Sequence, residues 1–132
     1  MVLVDSNVLL DIFTDDAEWC EWSGFQLTEC AGRRLAINPI IYAELSPAFS
    51  AESELEHALS GWPFVRLPLP YSAAFLAGQA FVRYRRSGGA RSAPLPNFYI
   101  GAQALVEDLV VLTRDAARYR TYFPGLKLIA PD

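Results

Sequence analysis

Histidine and cysteine are scarce in this 132-residue chain, which has one His, His57, and two Cys, Cys20 and Cys30. A structural zinc site takes four such ligands and a catalytic one usually three protein ligands, so a Cys/His zinc centre is not expected. Two cysteines make no disulfide framework, and their places in and at the end of a helical segment suit free, buried or half-buried thiols. No apolar run is long enough to span a bilayer. The opening MVLVDSNVLL has no basic region and meets Asp5 almost at once, which argues against a signal peptide or anchor. A soluble, cytoplasmic chain with no membrane partner is the expectation. No G-x-G-x-x-G follows the first apolar run, which excludes a dehydrogenase.

What the chain has is apolar bulk. Hydrophobic residues make up 52% and aromatics 13%, with a mean hydropathy of +0.18, enough for one domain with a sizeable core. The formal charge of −4 seems to argue against a nucleic-acid partner, but it hides an asymmetry. Residues 1–60 carry eleven acids against Arg33 and Arg34, a net of −9, whereas residues 61–132 carry nine bases against four acids, a net of +5. Ten of the eleven bases are Arg, the side chain suited to forked phosphate contacts.

Short apolar runs alternate with helical patterns. Val2–Asp5 reads as a strand, with Ser6 or Asn7 starting a helix through Phe13. Asp15 or Asp16 caps a second helix past Trp19, Trp22, Phe25 and Leu27, closed by Gly32. Leu35–Asn38 is a second strand, followed by a helix from Pro39 that Pro47 shortens. A short helix over Ser50–Leu59, a strand at Phe64–Leu67 and a long helix from Tyr71 to about Arg86 come next. A loop spans Ser87–Pro96, long enough to suspect a function. Asn97 then begins a helix, Leu109–Leu112 reads as a strand buried on both faces, a helix starts at Asp115, and Leu126–Ile129 is the last strand. These predict a single α/β domain over residues 1–132: three layers, with a central, mostly parallel sheet flanked by helices.

Ligand sites in open parallel sheets form beyond the carboxyl ends of the strands. Asp5 and Asp115 end hydrophobic runs, Glu44 lies just into the helix after the second strand, and Asn97 opens a helix after the long loop. If they converge, three carboxylates and one amide oxygen form a hard-oxygen set suited to Mg²⁺ or Mn²⁺. Taken singly, Asp5, Asn97 and Asp115 serve equally as helix N-caps and Glu44 as a solvated helix residue.

The blocks VLVDSNVLLDIF, INPIIYAEL, LPNFYIGAQA and VVLTRDAARYRTYFPGLKLI, in this order over nearly the whole chain, resemble PIN domains, above all VapC-type toxins of toxin–antitoxin pairs. The resemblance implies a PIN-like fold and a metal-dependent endoribonuclease. Asp5, Glu44 and Asp115 match the acids that hold a divalent metal, and Ser6, Asn7 and Thr113 match positions that orient those acids or join the metal's water shell. It also implies an antitoxin partner, with the Trp19, Trp22 and Phe25 region as one apolar surface for it, and a homodimer. One position departs: Asn97 stands where similar chains have an aspartate. Asparagine keeps the shape but brings no charge. An inactivating replacement and a natural variant with altered metal use both account for it, and the intact remainder of the block favours the first.

Arg83, Arg85, Arg86 and Arg91 gather at the end of the long helix and in its loop, and are candidates for an RNA-backbone surface. As cations at a helix C-terminus they also complement its dipole. Arg114, Arg118 and Arg120 lie near Asp115, where Arg114 is placed to balance the acidic site. A phospho-receiver domain also uses strand-end acids around Mg²⁺, but needs adjacent early acids and a late lysine. Here Asp5 is followed by Ser6, and the only lysine, Lys127, lies inside the last strand. A module that binds RNA or antitoxin without turnover is the stronger alternative.

Overall fold

The apolar triplets become the strands of one sheet in the computed structural model, which describes residues 1–90 and 95–131. The strands are β1 (Val2–Val4), β2 (Leu35–Ile37), β3 (Val65–Arg66), β4 (Val110–Leu112) and β5 (Lys127–Ile129). All pair in parallel, in the order β3-β2-β1-β4-β5. Parallel strands need covered faces, and every residue of β1 and β2 is buried. Val2, Leu3, Val4, Leu35, Ala36, Val111 and Leu112 form the centre of the core.

Seven α-helices complete the described residues: α1 (Ser6–Phe13), α2 (Cys20–Cys30), α3 (Pro39–Leu45), α4 (Glu52–Leu59), α5 (Tyr71–Arg86), α6 (Pro96–Val106) and α7 (Ala116–Tyr122). The result is a three-layer α/β fold. The α2 boundary differs from the expectation because Asp16 caps the turn before it, accepting from the Glu18 and Trp19 amides. Pro47 ends α3 in a single 3₁₀ turn, Ser46–Ala48. Asn97 is the second residue of α6, and Pro96 the first. Pro fits a first helical turn because its missing N–H has no partner there anyway.

A smaller core joins α5, α6 and α7. Ala73, Ala77 and Ala80 make a narrow buried stripe on α5, next to Phe98, Ala102 and Phe123. Gly101 allows the closest approach: a Cβ there would lie 2.6 Å from the Phe123 ring and 3.2 Å from that of Tyr119. Cys20 and Cys30 are free thiols, half-buried and buried. Among the described residues no helix is long and apolar enough to cross a membrane.

The strand order sets the site. From β1 the chain moves outward through β2 and β3, then returns to place β4 on the other side of β1. Between β1 and β4 the winding reverses, and in such sheets the crevice beyond the carboxyl ends at that point is where ligands bind. Asp5 follows β1 and Thr113-Arg114-Asp115 follows β4, so both flank it.

Candidate active site

Asp5 is held by the ladder itself. Its amide donates to the Leu112 carbonyl at 2.9 Å, extending the β1–β4 pairing by one residue. It is also the N-cap of α1, so the capping role and the site role fall on one residue. The carboxylate is 3% exposed. Oδ1 accepts from the Ser6 amide at 2.8 Å, and Oδ2 accepts from the Thr113 hydroxyl at 2.8 Å and the Tyr119 hydroxyl at 2.9 Å. All three donors are neutral. Burial pushes the carboxyl above its ordinary range, the hydrogen bonds from Thr113, Tyr119 and Ser6 oppose this, and the charge of Asp115 adds to the rise.

The supporting residues form a connected set. Asn7 Nδ2 donates to Thr113 Oγ1 at 3.3 Å, and the Asp115 amide donates to the same oxygen at 3.0 Å. With both lone pairs engaged, the Thr113 hydroxyl has only its proton to offer, and it goes to Asp5. Ser6 donates its hydroxyl to Glu44 Oε1 at 2.9 Å, tying α3 to α1. Glu44 is half-buried, and its carboxyl is raised by burial and by the nearby charge of Asp5, against the lowering effect of the Ser6 bond. The charge of Asp115 therefore acts on Asp5, and the charge of Asp5 acts on Glu44.

Asn97 and Asp115 meet at an arginine. Arg118 Nη1 donates to Asn97 Oδ1 at 3.4 Å, and its Nε lies 3.6 Å from Asp115 Oδ2. Arg118, not Arg114, is thus the cation at this edge. Arg114 turns away: Nε and Nη2 donate to the two oxygens of Asp11 at 2.6 and 2.9 Å, and the guanidinium lies 5.0 Å from the Trp19 ring centre. Ser23 donates to the same carboxylate at 2.6 Å. The expected balancing role of Arg114 is corrected accordingly, because a forked carboxylate within reach outcompetes a more distant one.

Sequence reading missed Tyr119. Its ring is 1% exposed and its hydroxyl meets Asp5. Burial first, then the charge of Asp5, raises the phenol well above its ordinary range, and the hydrogen bond it donates to Asp5 adds to the rise. The signal was its place four residues after Asp115, one turn into the following helix. Of the Arg set, Arg83, Arg85 and Arg86 are exposed, Arg83 Nη2 donates to the Tyr122 carbonyl at 3.0 Å, and Arg91 lies outside the described residues.

The donor chemistry fits a hard divalent cation. Asp5 and Glu44 are carboxylates whose charge the fold disfavours, and among the described residues no cationic side chain is bonded to either. Among the described residues, however, no three His, Cys, Asp or Glu side chains converge as a ready-made cluster. A cleft of about 560 Å³ lies between Asn38, Tyr42, Glu56 and Arg66 and is lined by none of the four candidate residues.

No family model and no curated protein matches the chain. Solved structures do. A chain of VapBC2 from Rickettsia felis, bound to a promoter DNA fragment, matches at 16% identity and TM-score 0.74, with all of both chains covered. A chain of FitAcB from Neisseria gonorrhoeae matches at 20% identity and TM-score 0.69, covering 98% of this chain and 96% of that one. A toxin–antitoxin complex from Klebsiella pneumoniae matches at 22% and 0.68, covering 100% and 98%. At these identities the likeness is one of fold, and the three-layer PIN-like fold is the one this chain adopts.

Proposed function

We propose that this chain is a divalent-metal-dependent endoribonuclease, of the VapC type, and the toxin of a toxin–antitoxin pair. The observation that carries the reading is Asp5 at the switch point of the sheet, electrostatically coupled to Glu44 and to Asp115. The shared fold with chains from VapBC and FitAB complexes supports it. Asp5, Glu44, Asp115 and Asn97 are the residues that would hold Mg²⁺ or Mn²⁺. Such an ion, when bound, supplies the positive charge and the acidity that make water a nucleophile at neutral pH. The chain's own part is positional. Ser6 and Thr113 fix the carboxylate of Asp5, Ser6 also fixes Glu44, and Asn7 fixes Thr113. Arg118 neutralises part of the charge at Asp115. Arg83, Arg85, Arg86 and Arg91 are assigned to the RNA backbone, the last from sequence only.

An antitoxin is the proposed protein partner, since similar structures include a toxin–antitoxin complex. Two apolar surfaces are available for it or for a second copy in a homodimer: Phe25 on α2, and Tyr71, Phe75 and Val82 along one face of α5, all exposed. The test is cleavage of structured RNA by the protein and by its Asn97→Asp variant. Cleavage with Mg²⁺ or Mn²⁺ that stops with EDTA is expected. Robust cleavage insensitive to EDTA rejects the metal role. Asn97, which brings no charge to the set, favours a second reading, an RNA- or antitoxin-binding module without turnover. RNA retention with no cleavage by either protein would establish it.

A further inference from the structure

The aromatic side chains around the smaller core do not close fully on one another. Tyr84, Phe98 and Tyr122 meet edge to face, with ring centres 5.6 Å apart for Tyr84 and Phe98, 6.1 Å for Tyr84 and Tyr122, and 5.2 Å for Phe98 and Tyr122. With Leu95 and Arg118 they line a pocket of about 190 Å³. Phe98 is buried, Tyr84 and Tyr122 are half-buried and Arg118 is exposed, so the pocket has an inner wall and an open side.

The walls are set before any ligand arrives. Phe81 stacks on Tyr84 with ring centres 6.0 Å apart, and Gly89 packs so closely on the same ring that a Cβ would lie 2.2 Å from it. Arg83 fastens the backbone of Tyr122 by donating to its carbonyl at 3.0 Å. Rings already held in place lose little freedom on binding. Among the described residues no parallel ring is stacked on Tyr122, and neither the Tyr84 nor the Tyr122 hydroxyl has a hydrogen-bond partner. Arg118 joins the pocket to the candidate active site. It lines the pocket, its Nη1 donates to Asn97 Oδ1 at 3.4 Å, and its Nε lies 3.6 Å from Asp115 Oδ2.

The occupant has to be small, with apolar faces and a polar edge. At about 190 Å³ the pocket is smaller than the ~300–1,000 Å³ that encloses a drug-sized ligand, so it takes one ring system. The chain carrying that ring has to suit Arg83, Arg85 and Arg86, which surround Tyr84 at the end of α5, and a phosphate backbone does. We propose that this pocket is a nucleobase subsite beside the candidate active site, in which an unpaired base of the RNA strand stacks on Tyr122 with its polar edge toward Arg118. The inference rests on the RNA substrate proposed above and names a part of the chain that grips it by a base; it needs no metal ion. A base enters such a pocket only when it is out of its own helix, and it adds a contact that phosphates alone cannot supply.

The experiment measures binding of a short fluorescein-labelled single-stranded RNA to the full chain in EDTA, by anisotropy, for the parent, Tyr122→Leu and Tyr122→Phe. A second series of strands carries one abasic ribose at each position in turn. Tyr122→Leu, apolar but without a ring, is expected to weaken binding about tenfold, within the range for one base stacked on an aromatic side chain. Tyr122→Phe keeps the ring and is expected to stay within about threefold. The slope of log affinity against log salt is expected to be unchanged in both, because stacking releases no counterions. One abasic position is expected to cost the parent about tenfold and Tyr122→Leu almost nothing, as for two groups in contact. Urea unfolding is run alongside. If Tyr122→Leu does not fold, photocrosslinking of a 4-thiouridine strand to the parent decides, with the peptide that contains Tyr122 as the expected product and crosslinks only elsewhere as the contrary one. A folded Tyr122→Leu that binds like the parent, or abasic strands that all bind like the full strand, overturn the subsite and give the pocket to a side chain of a protein partner. Cleavage with Mn²⁺ is read in parallel. Base-dependent binding without cleavage supports the subsite and rejects the nuclease reading, whereas cleavage with no effect of Tyr122→Leu rejects the subsite alone.

Discussion

Two aspartates six positions apart in the first helical segment, Asp5 and Asp11, are each 3% exposed, yet the fold treats them in opposite ways. Asp11 receives a forked guanidinium from Arg114 and a hydroxyl from Ser23, so its charge is answered within the protein. The same contact raises Arg114 above its ordinary range, first through the hydrogen bond to Asp11. Asp5 receives one amide and two hydroxyls, with two further acids nearby, and no cation among the described residues. Asp11 belongs to stability: it latches α1 and α2 to the segment after β4. Asp5 belongs to a site, since a buried charge left without a counter-ion costs free energy that a bound cation would return. Burial of an acid does not distinguish these roles, but its partners do.

Four measurements bear on this contrast. Asp5→Asn is expected to abolish metal-dependent cleavage by a factor on the order of a thousand, about 4 kcal/mol of barrier. Its folding stability at neutral pH should stay within about 1 kcal/mol of the parent, because a lost hydrogen bond and a relieved buried charge oppose each other. Cleavage rates set against urea unfolding check both halves. Asp11→Ala should do the reverse, with a loss of about 3 kcal/mol in urea unfolding because it leaves Arg114 partly buried and unpaired. Equal losses of stability in the two variants would erase the contrast.

The third measurement uses pH. Asp5 and Glu44 are both raised in the folded protein, so between their ordinary range and the raised one the folded state holds more protons than the unfolded state. Metal-free stability from these two groups therefore falls as pH rises through that window. Mn²⁺ competes with the same protons, so its melting-temperature increment should be larger at pH 7.5 than at pH 5. At a concentration near one hundred times the dissociation constant the stabilisation would be about 2.7 kcal/mol. An increment independent of pH would remove these carboxylates from the binding site. The smallest effect concerns the basic half: Arg85→Ala with Arg86→Ala should lower the slope of log affinity for single-stranded RNA against log salt by about 1.4. An unchanged slope would place RNA elsewhere.

Much of this was readable residue by residue. Val2–Val4, Leu35–Ile37 and Val110–Leu112 are strands because short apolar runs bounded by polar junctions have few other uses. The α5 limits, Tyr71 and Arg86, fell where Pro70 and the Ser87-Gly88 pair put them. Asp5, Ser6, Asn7, Glu44 and Thr113 were all named from the sequence, and their hydrogen bonds join them. Tyr119 was missed although its place one turn after Asp115 was a signal, and the true partner of Arg114 was not readable, because a hydrogen bond across 103 positions leaves no local pattern.

The sequence by itself determined the alternation of strand and helix, the carboxylates at strand ends and the split between an acidic first half and a basic second half. Those follow from periodicity and residue type, which are local. Only the tertiary structure decided which buried aspartate received a cation, that Arg118 and not Arg114 meets Asp115, and that the Tyr119 hydroxyl meets Asp5. These depend on where the β1–β4 crossover sets α1, α6 and α7 against one another. A side chain's charge is written in the sequence, and its counter-charge is chosen by packing.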